Sequence, residues 1–144
     1  MKIVLQRVKE AAVAVAGEEI SRIGKGILIL VGIEKGDSLS QVQELARKIA
    51  GLRIFEDSEG KMNLSVQTVG GEILVVSQFT LAADLKKGTR PSFDPAETPE
   101  KAHSLMESFI SALKQVGLRV QEGRFAAKME VMLVNDGPAT FLLP

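Results

Sequence analysis

Apolar residues recur along this chain with two periods, and each change of period marks an element. Lys2 to Val8 and Ala11 to Ala16 read as strands, and Gly17-Glu18 turns the chain into a third around Glu19 to Ile23. After the turn Gly24-Lys25-Gly26, the run Ile27-Leu28-Ile29-Leu30-Val31-Gly32-Ile33 is apolar without alternation, the pattern of a strand covered on both faces. It is the expected central strand and implies layers on either side. Ser38 and Gln41 form a capping-box pair, and Leu39, Val42, Leu45, Ile49 and Leu52 follow at helical spacing, so a first helix runs to about Leu52. Arg53 to Glu56 is a short strand closed by the turn signal Asp57-Ser58-Glu59-Gly60, and Glu72 to Gln78 is a buried strand after Gly70-Gly71. Ala82 to Pro95 has no sustained period and reads as a long surface loop. Thr98 as N-cap, Pro99 at the first helical position and Gly117 as the stop bound a second helix, with Ala102, Leu105, Met106, Phe109, Ile110, Leu113 and Val116 as its buried stripe. Strands near Leu118 to Glu122, Met129 to Val134 and Thr140 to Leu143 complete the chain. This order is no simple βαβα alternation, so the expected class is α+β: one layered β/β/α domain over residues 1–144, with mixed, mostly antiparallel strands and two main helices.

Composition narrows the partners. The chain has 144 residues, 45% of them hydrophobic, enough for one core and too few for a second domain. Its 18 basic and 18 acidic residues cancel, so any nucleic acid must be met by a local basic patch. The absence of Cys removes disulfides, thiolate catalysis and Cys-ligated zinc together, and suits a reducing compartment. No stretch reaches membrane-spanning length and Met1-Lys2-Ile3-Val4-Leu5 lacks the features of a signal peptide, so the expectation is a cytoplasmic protein without membrane contact.

The usual catalytic groups are nearly missing. The sole histidine, His103, falls inside the second helix beside its apolar stripe, and no Gly-x-Ser-x-Gly elbow is present to build a hydroxyl nucleophile with it. One His, no Cys and scattered carboxylates give no recognised metal-ligand spacing, and Gly24-Lys25-Gly26 and Gly70-Gly71 are too short to cradle a phosphate. No metal or cofactor is expected. What remains is hydroxyls, an amide, main-chain groups and local basic charge. These suffice to hydrolyse an already activated ester, because orientation and main-chain N–H groups can stabilise its oxyanion.

Two polar interruptions of apolar strands stand out. Ser77-Gln78-Phe79-Thr80 follows Ile73-Leu74-Val75-Val76, and Asn135-Asp136-Gly137-Pro138 follows Val131-Met132-Leu133-Val134. Locally, Ser77 and Thr80 can be strand-end residues satisfying main-chain groups, Phe79 can be core, and Gly137-Pro138 can be an ordinary turn. Together with Leu81, with Lys87-Gly88-x-Arg90-Pro91-Ser92-Phe93, with Gln6-Arg7-Val8, with Leu52-Arg53-Ile54-Phe55, with Gly60-Lys61-Met62-Asn63 and with Thr140, these segments resemble, in order along the chain, the signatures of the D-aminoacyl-tRNA deacylase family. Ala82 stands where many members carry an aromatic, and Ala139 where Val is common.

The resemblance implies a homodimeric enzyme that cleaves the ester between a D-amino acid, or glycine, and the 3′-terminal adenosine of tRNA, as chiral proofreading in translation. It places Ser77, Gln78, Phe79 and Thr80 at the catalytic segment, Thr80 nearest the chemistry. Whether Thr80 is a nucleophile, or the 2′-hydroxyl of the tRNA assists water, stays open. It implies that Gly137-Pro138 is cis and enters the partner subunit's site, where main-chain atoms exclude a Cβ of L configuration; an X–Pro bond makes that form cost only about 0.5–1 kcal/mol. Arg7 would hold that peptide, with Asn135, Phe93 and Met129 also on the substrate side. Lys86, Lys87 and Arg90 either keep a loop soluble or meet tRNA phosphates. Three other classes fit less of the chain: a tRNA-binding module without catalysis, which would want more exposed basic and aromatic residues; a ligand-binding or purely structural dimer; and a serine esterase, which would need His103 beside a hydroxyl.

Overall fold

A computed structural model describes residues 1–144. Ten elements follow the chain: β1 (Lys2–Val15), β2 (Glu18–Ile23), β3 (Gly26–Gly32), α1 (Leu39–Gly51), β4 (Phe55–Glu56), β5 (Met62–Leu64), β6 (Glu72–Ser77), α2 (Pro99–Gln115), β7 (Val120–Glu122) and β8 (Met129–Leu143). The main sheet runs β2-β1-β3-β6-β7, with β8 also on β1. β1 pairs antiparallel with β2, β3 and β8, whereas β6 is parallel to both β3 and β7, so the sheet is mixed and mostly antiparallel as expected.

The unalternating run in β3 is explained by two cores. Ile27, Ile29 and Val31 face the helices together with Ile73 and Val75 of β6, while Leu28, Leu74 and Val76 face the opposite side with Val8, Ala11, Val13 and Ile23. Each strand is therefore apolar on both faces. On the helical side, α1 contributes Val42, Leu45, Ala46 and Ile49, and α2 contributes Leu105, Met106, Phe109, Ala112 and Leu113. Leu39 departs from the expected stripe, being 53% exposed at the start of α1. Ser38 caps α1 with the reciprocal Gln41 bonds that its sequence predicted. Thr98 occupies the N-cap of α2 without a side-chain capping bond, and Pro99 opens the helix there.

Two strand assignments need correction. Lys2 to Val8 and Ala11 to Ala16 are one strand, because the exposed pair Lys9-Glu10 lies within a bulged stretch of continuous pairing and does not form a turn. The bulge also changes which side chains face which core: Ile3 and Leu5 meet the helical core, Ala11 and Val13 the other. The final strand is likewise unbroken, running through Asn135-Asp136-Gly137-Pro138 where two strands were expected. A short strand was also missed, since Met62–Leu64 pairs back on Phe55–Glu56 across the predicted Asp57–Gly60 turn. There the Lys61 and Glu59 N–H groups donate to Asp57 Oδ1 at 3.0 and 2.9 Å, which holds that carboxyl below the usual range.

Candidate active site

The residues singled out in the sequence gather in three places. The first is the end of β6. Ser77 pairs with Val31 of β3, and the Gln78 N–H donates to the Val31 carbonyl at 2.7 Å before the chain enters a 3-10 turn over Phe79–Ala82. That turn is pressed against β3. A Cβ on Gly32 would stand 2.8 Å from Leu81 Cβ and 2.9 Å from the Gln78 carbonyl oxygen, so only glycine lets the turn sit there. Gly32→Ala is expected to cost roughly 1–3 kcal/mol through forced displacement of the turn. An unshifted urea midpoint would show that the turn moves aside freely.

The first internal bond of this turn runs from the Leu81 N–H to the Gln78 carbonyl at 3.1 Å, which leaves the N–H groups of Phe79 and Thr80 without a main-chain partner in the turn. Beside them opens a cavity of ≈ 490 Å³, 12 of whose 16 lining residues are hydrophobic. Val31 and Ile33 form one wall, Ser77, Gln78 and Phe79 another, Pro99, Ala102 and Met106 of α2 a third, and Phe125, Ala126, Ala127, Met129 and Val131 the last. Phe79 is 59% exposed at its rim and packs on Phe93, ring centroids 4.9 Å apart. Thr80 is off the cavity wall, with its hydroxyl held by the Gln78 side-chain amide and by no base. Glu97 also lines the cavity; its Oε2 lies 2.8 Å from Lys101 Nζ, and that bond, with one from the Thr98 N–H, holds its carboxyl below the usual range.

The second place is around Arg7, which is buried with only 3% of its surface exposed. Its Nε donates to the Asp136 carbonyl at 3.1 Å and one terminal nitrogen to the Ile54 carbonyl at 2.7 Å, while the other lies 3.7 Å from Glu56 Oε1. The pairing of β8 with β1 explains why the guanidinium is needed. Asn135 is opposite Val8 and Thr140 is opposite Gln6, so the four residues Asp136 to Ala139 stand against Arg7 alone and bulge outward. Asn135 closes the base of the bulge by donating from Nδ2 to the Arg7 carbonyl at 2.9 Å and to the Ala139 carbonyl at 3.0 Å. Gly137 and Pro138 are exposed at its tip, the peptide between them is cis, and Gly137 has φ +125. That φ itself favours glycine, and a Cβ there would also have to displace an Arg7 terminal nitrogen 2.8 Å away. Neither Arg7 nor the bulge borders the cavity of its own chain.

The third place is the loop from Ala83 to Pro91. Asp84 and Ser92 bridge in antiparallel fashion, with main-chain bonds of 2.8 and 3.0 Å, and Gly88 turns the chain at φ +68. Lys86, Lys87 and Arg90 are exposed on it and take part in none of the chain's ion pairs. Phe93, through its contact with Phe79, ties the base of this basic loop to the mouth of the cavity.

The sequence reading missed the wall formed by Phe125, Ala126 and Ala127, and also Glu97. Ala126 has φ 59, an uncommon conformation for a non-glycine residue, and nothing in Gly123-Arg124-Phe125-Ala126-Ala127 spells a turn motif that would have flagged it. His103 makes no hydrogen bond to a hydroxyl. Its ring packs on Phe125 with centroids 4.7 Å apart, and its Nε2 faces Glu107 at 3.7 Å.

Comparison with known proteins identifies the family. The family described as D-Tyr-tRNA(Tyr) deacylase matches residues 4–144. The chain is 58% identical over 139 residues to a D-aminoacyl-tRNA deacylase of Thermodesulfovibrio yellowstonii, covering 96% of this chain and 95% of that one. It is 54% identical over 143 residues to the D-aminoacyl-tRNA deacylase of Syntrophotalea carbinolica, covering 99% and 96%. Among solved structures it superposes on the c-Myc DNA Unwinding Element Binding Protein with a TM-score of 0.94 and 43% identity, over 100% of this chain and 98% of the other. A probable eukaryotic D-amino acid tRNA deacylase superposes with a TM-score of 0.84 over 99% and 97% of the chains, and at 15% identity it speaks for the fold alone. A family match that spans residues 4–144, with relatives more than half identical along nearly their whole length, makes this chain a member of the D-Tyr-tRNA(Tyr) deacylase family and an enzyme of the deacylase class.

Proposed function

We propose that this deacylase hydrolyses the ester between a D-amino acid, or glycine on a non-cognate tRNA such as tRNA-Ala, and the 3′-terminal adenosine of tRNA, and spares the L-aminoacyl ester. The observation that carries this reading is the apolar cavity lined by Ser77, Gln78 and Phe79, at the start of a turn whose Phe79 and Thr80 N–H groups have no main-chain partner within it. An apolar cleft of this size suits a nucleoside held largely by its base. With adenosine seated there, the ester carbonyl lies over the turn and the two N–H groups receive the oxyanion that forms when water attacks. The bond from the acyl carbon to the ribose oxygen then breaks, releasing the free amino acid and the 3′-hydroxyl of the tRNA. No base stands beside the Thr80 hydroxyl, which favours water over Thr80 as nucleophile, with the adjacent 2′-hydroxyl of the tRNA orienting or activating it.

Chirality is read by the bulge Asp136 to Ala139 from a second copy of the chain. β8 pairs only with β1, so its other edge is free over a 15-residue strand, and Met132, Val134 and Leu142 expose apolar surface on it at 47, 45 and 76%. Long open edges are ordinarily covered. Docking of two copies across this face covers it and carries each bulge toward the other's cavity. The main chain at Gly137-Pro138 then forms a wall against the α-carbon: an L-residue drives its Cβ into it, a D-residue points away, and glycine passes. Rejecting the L-ester a thousandfold requires the two transition states to differ by about 4 kcal/mol.

The basic loop supplies the attraction for tRNA that the balanced net charge lacks. D-tyrosyl-tRNA is expected to lose its ester faster with the protein than in buffer, with KM rising steeply with salt. Replacing Lys87 and Arg90 together with alanine is expected to reduce the slope of log KM against log salt by about 2. A slope unchanged by that double replacement would remove the loop from the tRNA path, and no acceleration over buffer would overturn the proposed activity.

A further inference from the structure

A second cavity of ≈ 250 Å³ opens beside the first, and Ser77, Met106 and Phe125 belong to the walls of both. Its character is different. Where the larger cavity is mostly apolar, this one is bordered by His103 and Glu107 from α2, whose Nε2 and Oε1 lie 3.7 Å apart, and by Glu122 and Arg124 from the end of β7 and the segment after it. The Glu122 carboxylate and the Arg124 guanidinium pair neither with each other nor with any other charged group of the chain. The two cavities are linked by an aromatic step, because Phe125 lines both and the His103 ring lies on it at 4.7 Å with an interplanar angle of 30°.

We propose that this smaller cavity seats the base of the penultimate nucleotide of the tRNA, the cytidine that precedes the terminal adenosine in every CCA end. The inference rests on the reading above, which puts the adenosine in the larger cavity. A neighbouring base then arrives on the far side of Phe125, where the exposed face of the imidazole is a stacking platform of the kind used for unpaired bases. Arg124 offers a free cation for the phosphate joining the two nucleotides. The Glu122 carboxylate is acceptor-only, so it takes a hydrogen bond from the cytosine N4 amino group and repels the O4 carbonyl that uracil presents at the same position. The cavity lies just below the roughly 300–1,000 Å³ typical of sites that enclose a whole small molecule, which fits one base with its sugar left in solvent.

The test uses the intact protein and three D-phenylalanyl esters: of adenosine, of the dinucleotide CpA and of UpA. The CpA ester is expected to exceed the adenosine ester in kcat/KM by about tenfold, the order of one base-stacking contact. It should exceed the UpA ester by roughly fivefold or more. Glu122→Gln supplies an amide that donates as readily as it accepts, and is expected to bring UpA level with CpA. His103→Ala is expected to lower both dinucleotide esters toward the value for adenosine. Equal kcat/KM for CpA and UpA in the unmodified protein would overturn the inference, with no variant needed, and so would a cytosine preference that survives Glu122→Gln. Turnover of the adenosine ester without any gain for CpA would overturn it while leaving the deacylase reading intact, whereas failure to hydrolyse all three would overturn both.

Discussion

Arg7→Ala is expected to lower the ratio of kcat/KM for D- over L-aminoacyl-tRNA by on the order of 30-fold, about 2 kcal/mol, while turnover of the D-ester falls far less. The guanidinium spans from the body of the protein, at the Ile54 carbonyl, to the bulge, at the Asp136 carbonyl. A hydrogen bond from a charged donor contributes roughly 1.5–3 kcal/mol, so losing the second of these removes an energy comparable to the chiral penalty that the wall must impose. A looser wall gives way to a Cβ. It still leaves the D-ester, which does not press on it, to react over the turn. Stability falls as well, because the buried Ile54 carbonyl loses its donor, at a cost of roughly 1–3 kcal/mol. Arg7→Lys should fall between, since an ammonium lacks the planar fork that reaches both carbonyls. Measured on D- and L-tyrosyl-tRNA side by side, an equal loss on both substrates would reduce Arg7 to a structural residue.

Replacing the terminal adenosine of D-tyrosyl-tRNA by 2′-deoxyadenosine is expected to lower kcat by about 10²–10⁴, the range of a positioned proton-transfer group. The reason lies in what the site lacks. The Thr80 hydroxyl is held by the Gln78 amide, His103 packs on Phe125 and faces Glu107, and the one carboxylate on the cavity wall, Glu97, is held ionised by Lys101 and the Thr98 N–H, which makes it a weak base for water. Thr80→Val is expected to change kcat less than tenfold, because the main-chain N–H groups of the turn survive it. A collapse of activity in Thr80→Val, with the deoxy substrate turned over normally, would instead make Thr80 the nucleophile.

Much of this fold could be read from residues whose local chemistry has one solution. The Ser38–Gln41 capping box, Pro99 at the head of α2, and the unalternating run in β3 each specify an element without help from distant residues. The bulge in β8 could not be read that way. Asn-Asp-Gly-Pro ends a strand in most settings, whereas here the strand continues past it, with Arg7, 129 residues away from Asp136, bonded to the bulge and Asn135 closing its base. The Ser77–Thr80 turn and the bulge were legible as polar interruptions, but their functions came from resemblance, and one chain keeps them in separate places. The cavity walls were the least visible. Ala102, Met106, Phe125 and Met129 look like core residues, and only the packing of α2 over the end of β6 turns them into the lining of a cleft.

The proposed filter is a main-chain wall that rejects a Cβ of the wrong hand and does not select a side chain. Deacylation of D-tyrosyl-tRNA, L-tyrosyl-tRNA and glycyl-tRNA in parallel, each with protein and with buffer alone, tests it most directly. The D-tyrosyl and glycyl esters are both expected to be lost while the L-tyrosyl ester persists as it does in buffer. Sparing of the glycyl ester together with the L-ester would show that a D side chain is bound positively, and loss of all three at similar rates would show that there is no filter.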